Sequence, residues 1–376
     1  MIQIVAMVIA AAIPLLSFYL IYRLDLYKTG DFKWVLASGF AGIIAFYIAS
    51  VINRTFILQG WLSRENVIRY SAPLVEEILK GLLLLFMVRR PSFTYFVSGA
   101  IYGFAAGIGF AIFENFQYIQ ASQGAGLALA INRVLSTNLI HASTTGILGI
   151  ALGLARFQRG WRFGLYGMLG LLLAVLMHIG YNNLVTRVVS LLLVYAVASG
   201  LIGAGLITFA IKQGLKEART WIEEKLGQAD RVTRGEAAVV QHLENVDDIL
   251  KPLAEIFGDK KASQIQHFLT IQARLGIYRK SLEKLSDERM KKGVEAKMAE
   301  LRKEMDDARR EVGSYAMLYL RHTFPEDASP LWGRLEAAIQ EKAAARPVSG
   351  GTNVWANLKA RQEERNSPSS QSQSEK

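Results

Sequence analysis

The sequence predicts an all-α membrane protein: a bundle of about seven transmembrane helices, then a cytosolic helical domain and a disordered tail. Three observations lead there. Hydrophobic residues make up 51% of the 376 and the mean hydropathy is +0.22, above what soluble chains carry. About seven runs approach the ~20 apolar residues that a bilayer crossing needs. Charge is divided as well: residues 1–211 hold 14 Lys+Arg and 6 Asp+Glu, whereas residues 212–376 hold 29 and 26. The two regions therefore meet different solvents.

The expected crossings lie near 3–22, 33–52, 71–88, 93–115, 131–154, 162–184 and 188–211. The first lacks a basic leader and runs into Arg23, which reads as a retained helix and not a cleaved signal. Basic residues set the orientation. Arg23, Lys28 and Lys33 follow the first crossing, Arg89 and Arg90 the third, Arg156, Arg159 and Arg162 the fifth, and Lys212, Lys216 and Arg219 the seventh. Those loops are expected on the cytoplasmic side of the cell membrane, with the N-terminus outside and the C-terminus inside. The net charge of +11 is then mostly flank charge facing an anionic leaflet, and implies no nucleic acid. Segment 53–70 is too polar to cross and is expected as an interfacial helix on the outer face. Gly99, Gly103 and Gly107, then Gly146, Gly149 and Gly153, are small-residue rows of the kind that let membrane helices pack closely.

Three stretches follow from this division: 1–211 as the membrane domain, 212–342 as the cytosolic helical domain and 343–376 as the disordered tail. In the second, Val239, Val240, Leu243, Val246, Ile249 and Leu250 recur on one helical face, and Thr233 with Glu236 fits a capping box. Residues 282–322 mix both signs at helical spacing, as a solvated helix packed on neighbours does, and the domain is expected to dock a partner of unknown kind. The end is rich in Ser, Gln and Gly and poor in apolar residues. Cysteine is absent, which excludes disulfides, thiolate nucleophiles and Cys-ligated zinc.

The membrane part keeps few ionisable groups. Asp25, Asp31 and Glu65 fall in loops, leaving Glu76, Glu77 and Glu114 in crossings; His141 and His178 are there too, while His242, His267 and His322 belong to the charged tail. Charges within crossings are expensive and mark sites or pathways. In SAPLVEEILKG, Glu76 and Lys80 are four apart and Glu77 and Lys80 three apart, so one carboxylate can be held by the lysine while the other does chemistry. Glu114 and Asn115 end the fourth crossing, His141 sits near Asn138, Thr144 and Thr145, and His178 and Asn182 share a helix face. The topology brings all of these toward the outer half of the membrane, as one cavity requires.

These motifs, EEILK (Glu76–Lys80), FAIFENFQYI (Phe110–Ile119), His141 and HIGYNN (His178–Asn183), resemble in their order the PrsW family of intramembrane proteases. That family lies within the broader CAAX-prenyl protease and bacteriocin-processing superfamily. The resemblance covers about residues 70–185. It implies hydrolysis of a peptide bond in a membrane-anchored protein, such as an anti-sigma factor, with Glu76 and Glu77 as the paired essential glutamates and His178 as the essential histidine. His141 and Asn182 match as well. The related prenyl proteases have a histidine where this chain has Glu114.

A metal-free glutamate mechanism is the favoured chemistry at this point, so no cofactor is expected. In it Glu76 takes a proton from the attacking water, His178 and Asn182 donate to the developing oxyanion, and Glu77 is oriented through Lys80, with the roles of the two glutamates exchangeable. The zinc alternative uses Glu114, His141 and His178 as ligands, without an HExxH motif. The other class left open is a proton-coupled transporter or channel using the same groups.

Overall fold

The computed structural model describes residues 2–317 apart from 24, 26–27, 29, 123–125, 188, 226–239, 241–245 and 315. Every regular element among them is helical. The chain runs through α1 (Ile2–Arg23), α2 (Phe32–Leu58), the single turn α3 (Arg64–Asn66), a π-helical turn (Val67–Ser71) and α4 (Ala72–Met87). It continues through α5 (Phe96–Ala121), α6 (Gly126–Leu135), α7 (Thr137–Ala155), α8 (Trp161–Arg187) and α9 (Val189–Lys225). Beyond these lie α10 (Val246–Phe257), α11 (Asp259–Lys284) and α12 (Glu288–Val312).

Among the described residues, 6 helices are long and apolar enough to cross a membrane: Ile2–Arg23, Phe32–Leu58, Phe96–Ala121, Leu129–Ala155, Trp161–Leu184 and Val197–Ile222. The expected crossing at 71–88 is α4, whose 16 residues reach only about 24 Å at ~1.5 Å each. Segment 53–70 differs from expectation as well. Residues 53–58 prolong α2 to 27 residues, and Gly60, at φ +67, ends the run in a conformation that favours glycine. Val67 and Ile68 then belong to the π-helical turn, so there is no single surface helix.

The bundle is built around α5, which is buried along almost its whole length between α7 and α2. Glycine is required at these contacts because the backbones touch. A methyl on Gly99 would stand 2.0 Å from the Gly149 carbonyl oxygen, and one on Gly107 2.3 Å from that of His141. By contrast α1, α2, α8 and α9 turn large apolar side chains outward, among them Val8, Leu16, Phe40, Val51, Leu172 and Phe209. That surface suits hydrocarbon, whose contact replaces water.

Helix α4 has its polarity inverted. Glu76, Glu77, Lys80, Gly81 and Leu84 face inward, while Leu74, Ile78, Leu82, Leu85 and Phe86 are exposed. The 3.6-residue period assigns the charges to the protein interior and the leucines to lipid.

Helix α9 runs 37 residues and carries Ala218, Trp221 and Ile222 against α11. Tyr95 and Trp221 rings lie 5.6 Å apart, and Ser281 Oγ donates to the Thr94 carbonyl at 3.3 Å. Helix α12 packs on α11 through Val294, Met298, Leu301, Met305 and Ala308, a spacing of three and four that leaves its charges outside. His267 is exposed and 3.7 Å from Glu304, as the solvated reading expects. The 233/236 capping box, His242, His322 and the 343–376 tail lie outside the described residues.

Candidate active site

Four helices deliver the site. Glu76, Glu77 and Lys80 come from the first half of α4, Glu114 from the second half of α5, His141 from the first half of α7 and His178 from the second half of α8. A break at Ser136 (φ −124, ψ −74) separates α6 from α7 and leaves Arg133 at the end of α6. All of these except Arg133 were candidates from sequence or its supporting lysine, and the fold gathers them.

Glu77 is fully buried and saturated. Its Oε1 accepts from Lys80 Nζ at 2.5 Å, from His178 Nδ1 at 2.9 Å and from Thr144 Oγ1 at 3.0 Å, and its Oε2 accepts from Thr145 Oγ1 at 3.3 Å. Lys80 Nζ also reaches His141 Nδ1 at 3.0 Å and lies 4.8 Å from the Phe110 ring centroid. His141 Nε2 meets Glu114 Oε2 at 3.0 Å. Arg133 closes the far side: Nη2 donates to Glu114 Oε2 at 2.6 Å and Nε to Asn115 Oδ1 at 2.7 Å, and Asn115 in turn donates to Asn138 Oδ1 at 2.7 Å.

These partners fix both imidazoles. An ammonium only donates, so Lys80 makes His141 Nδ1 an acceptor and leaves Nε2–H for Glu114. His178 gives its Nδ1–H to Glu77, which turns the lone pair of Nε2 toward Glu76. The His178 Nε2 to Glu76 Oε2 distance is 3.8 Å, and Oε2 of Glu76 is buried with no hydrogen-bond partner. The two imidazole rings stand edge to face with centroids 4.8 Å apart.

Glu76, His141 and His178 each present a ligand atom within 4.8 Å of the others. The donor set fits a zinc-class ion: two imidazoles and one carboxylate, with a further carboxylate bonded to one nitrogen of each ring, Glu114 at His141 and Glu77 at His178. The orphaned Glu76 oxygen is the kind of buried atom that asks for a cation. The zinc alternative read from sequence had Glu114, His141 and His178; the group that could hold an ion in the structure is Glu76, His141 and His178, and Glu114 is paired with Arg133 and bonded to His141.

Asn182 Nδ2 donates to the Ile68 carbonyl at 2.8 Å. It ties α8 to the π-helical turn before α4. Arg133 was missed as a member of the site; its signal is a lone cation inside an apolar run, INRVL, opposite a lone glutamate.

The profile of the PrsW family intramembrane metalloproteases matches residues 31–211. Protease PrsW of Bacillus subtilis (strain 168) is 30% identical over 194 residues, which cover 50% of this chain and 84% of that protein. The chain belongs to the PrsW family. Protease PrsW of Geobacillus kaustophilus is 28% identical over 151 residues, 40% of this chain and 65% of the relative. That of Halalkalibacterium halodurans is 28% identical over 178 residues, 46% and 79%. No solved structure matches. PrsW membership supports an intramembrane protease with several crossings, and lends nothing to the transporter alternative. The family is described as metalloproteases, and Glu76, His141 and His178 form a group that could hold a metal ion.

Proposed function

We propose that this chain is a metal-dependent intramembrane endopeptidase that cuts a membrane-anchored protein, with an anti-sigma factor or similar regulator as the substrate class. The observation that carries the reading is the buried, unpartnered Glu76 Oε2 facing His178 Nε2 in a cluster with His141. Glu76, His141 and His178 would hold the ion. A zinc-class ion bound there supplies a Lewis acid for the peptide carbonyl.

The remaining residues prepare that place. Glu77 and Glu114 set the tautomers of His178 and His141, and Lys80 and Arg133 balance the charge of those two carboxylates. Glu76, first read as the base, becomes an ion holder. Asn182 acts by positioning the α3–α4 entry through Ile68 and not as an oxyanion donor.

Topology belongs to the same proposal. The helical run from Arg64 through Met87 is unbroken and α4 buries its charges, which supports a seventh, shorter crossing. With seven crossings and Arg89, Arg90, Arg156 and Arg159 on the inner side, the N-terminus would lie outside and the C-terminus in the cytoplasm. Helices α10–α12 then form a cytosolic part suited to docking a partner.

The test uses the purified full chain with single-span protein substrates. Wild type is expected to cleave, to stop when a chelator is added and to resume with zinc. Glu76→Gln and His178→Ala are expected to lose bound zinc and cleavage together. Cleavage at the wild-type rate by both variants would refute the reading.

A further inference from the structure

At the opposite end of α4 from Glu76, an open cavity of about 850 Å³ lies where the membrane helices meet the α11–α12 turn. Four arginines line it: Arg89 after α4, Arg156 and Arg159 after α7, and Arg289 in the first turn of α12. Asp287 is the single acid in the lining, and its side chain is engaged as the cap of α12, accepting from Met290 N at 2.9 Å. Among the described residues none of the four arginines has a carboxylate within ion-pair reach.

Arg156 is the decisive member. It is 4% exposed, and only Nη1 is satisfied, by the Val88 carbonyl. Its Nε and Nη2 are buried without a partner. Burial lowers its pKa to about 10, so it remains charged at neutral pH. A buried cation with two unused donors is costly unless an anion reaches it. Arg159 Nε is held by Ser286 Oγ at 2.5 Å, and Arg89 stacks toward the Phe163 ring at 5.7 Å, so two more guanidinium groups are fixed at the wall. Trp161, 73% exposed beside the cavity, is a residue typical of the membrane–water boundary.

We propose that this cavity binds a phosphate-bearing anion, and that the anion joins the membrane bundle to the α11–α12 hairpin. Arginine forks suit phosphate oxygens. At this depth the phosphate comes from an anionic lipid headgroup or from a soluble phosphate compound. The inference concerns binding alone and stands apart from the protease chemistry.

Native mass spectrometry of the full-length protein in detergent tests it, with phosphatidylglycerol, phosphatidylcholine and inorganic phosphate as separate probes. Retention of phosphatidylglycerol over phosphatidylcholine is expected, weakened about tenfold or more in the rim variant Arg159→Gln/Arg289→Gln. That variant is chosen because Arg156→Gln alters a buried side chain and can unfold the chain. Phosphatidylglycerol retained without phosphate binding assigns the site to lipid, and binding of phosphate assigns it to a soluble ligand. Equal retention of both lipids with no phosphate binding, or wild-type retention by the rim variant, would overturn the proposal.

Discussion

Glu77 and Lys80, one helical turn apart on α4 and both fully buried, form an ion pair 2.5 Å long in the interior of the bundle. Neither charge has solvent to fall back on. Glu77→Gln is therefore expected to lower stability by about 3–5 kcal/mol, the penalty of leaving a buried charge alone. Thermal unfolding in detergent measures it. The double variant Glu77→Gln/Lys80→Met removes both charges and is expected to regain most of that loss while cleaving more slowly, since a neutral amide holds the His178 Nδ1–H less strongly than the carboxylate does.

Glu114 is bonded to His141 Nε2 at 3.0 Å and paired with Arg133. Glu114→Gln is expected to weaken zinc binding by about 10–100-fold, as loss of such a supporting carboxylate does. Arg133→Gln moves affinity the same way by freeing Glu114 from its cation. Equilibrium dialysis with zinc reads both effects without any need for substrate.

Gly107 touches the His141 backbone. Gly107→Val forces α5 away from α7 and shifts His141 with it. A drop in stability of at least about 1–3 kcal/mol, the usual cost of overpacking, is expected with a larger proportional loss of cleavage. Gly205, which meets nothing within 4 Å, serves as the control: Gly205→Ala is expected to leave both unchanged.

Asn182→Ala removes one hydrogen bond to Ile68. A cost of about 1 kcal/mol in stability and cleavage within a few-fold of wild type are expected. A fall of about 100-fold in turnover at unchanged stability would instead put the amide on the oxyanion.

Much of this was legible in the residues themselves. Glu76, Glu77, Lys80, Glu114, His141 and His178 stood out because bilayer interiors exclude such groups unless they meet, and they do meet. The glycine rows marked helices able to pack closely, and α5 and α7 do so at Gly99 and Gly149. What escaped was angular and local. Sequence spacing cannot tell which of three glutamates groups with the two imidazoles, since that depends on helix rotation; the structure groups Glu76 with them, where the zinc alternative had Glu114. Arg133 carries no site signal beyond its place in an apolar run, and it is the end of α6 before the Ser136 break that brings it to Glu114. Apolarity at residues 53–58 could not separate a surface helix from a longer α2, and the length of α4 is set by turns at both ends that hydrophobicity does not record.

The inverted face of α4 bears on how the protein is made. Laid alone into a bilayer, this helix would hold two carboxylates and an ammonium against acyl chains, and its companions α5, α7 and α8 are all synthesised later. Insertion of α4 thus has to wait for, or travel with, the segments downstream, which means that an incompletely translated or mis-threaded chain carries no functioning hydrolytic centre. Proteolytic competence and successful biogenesis become a single event.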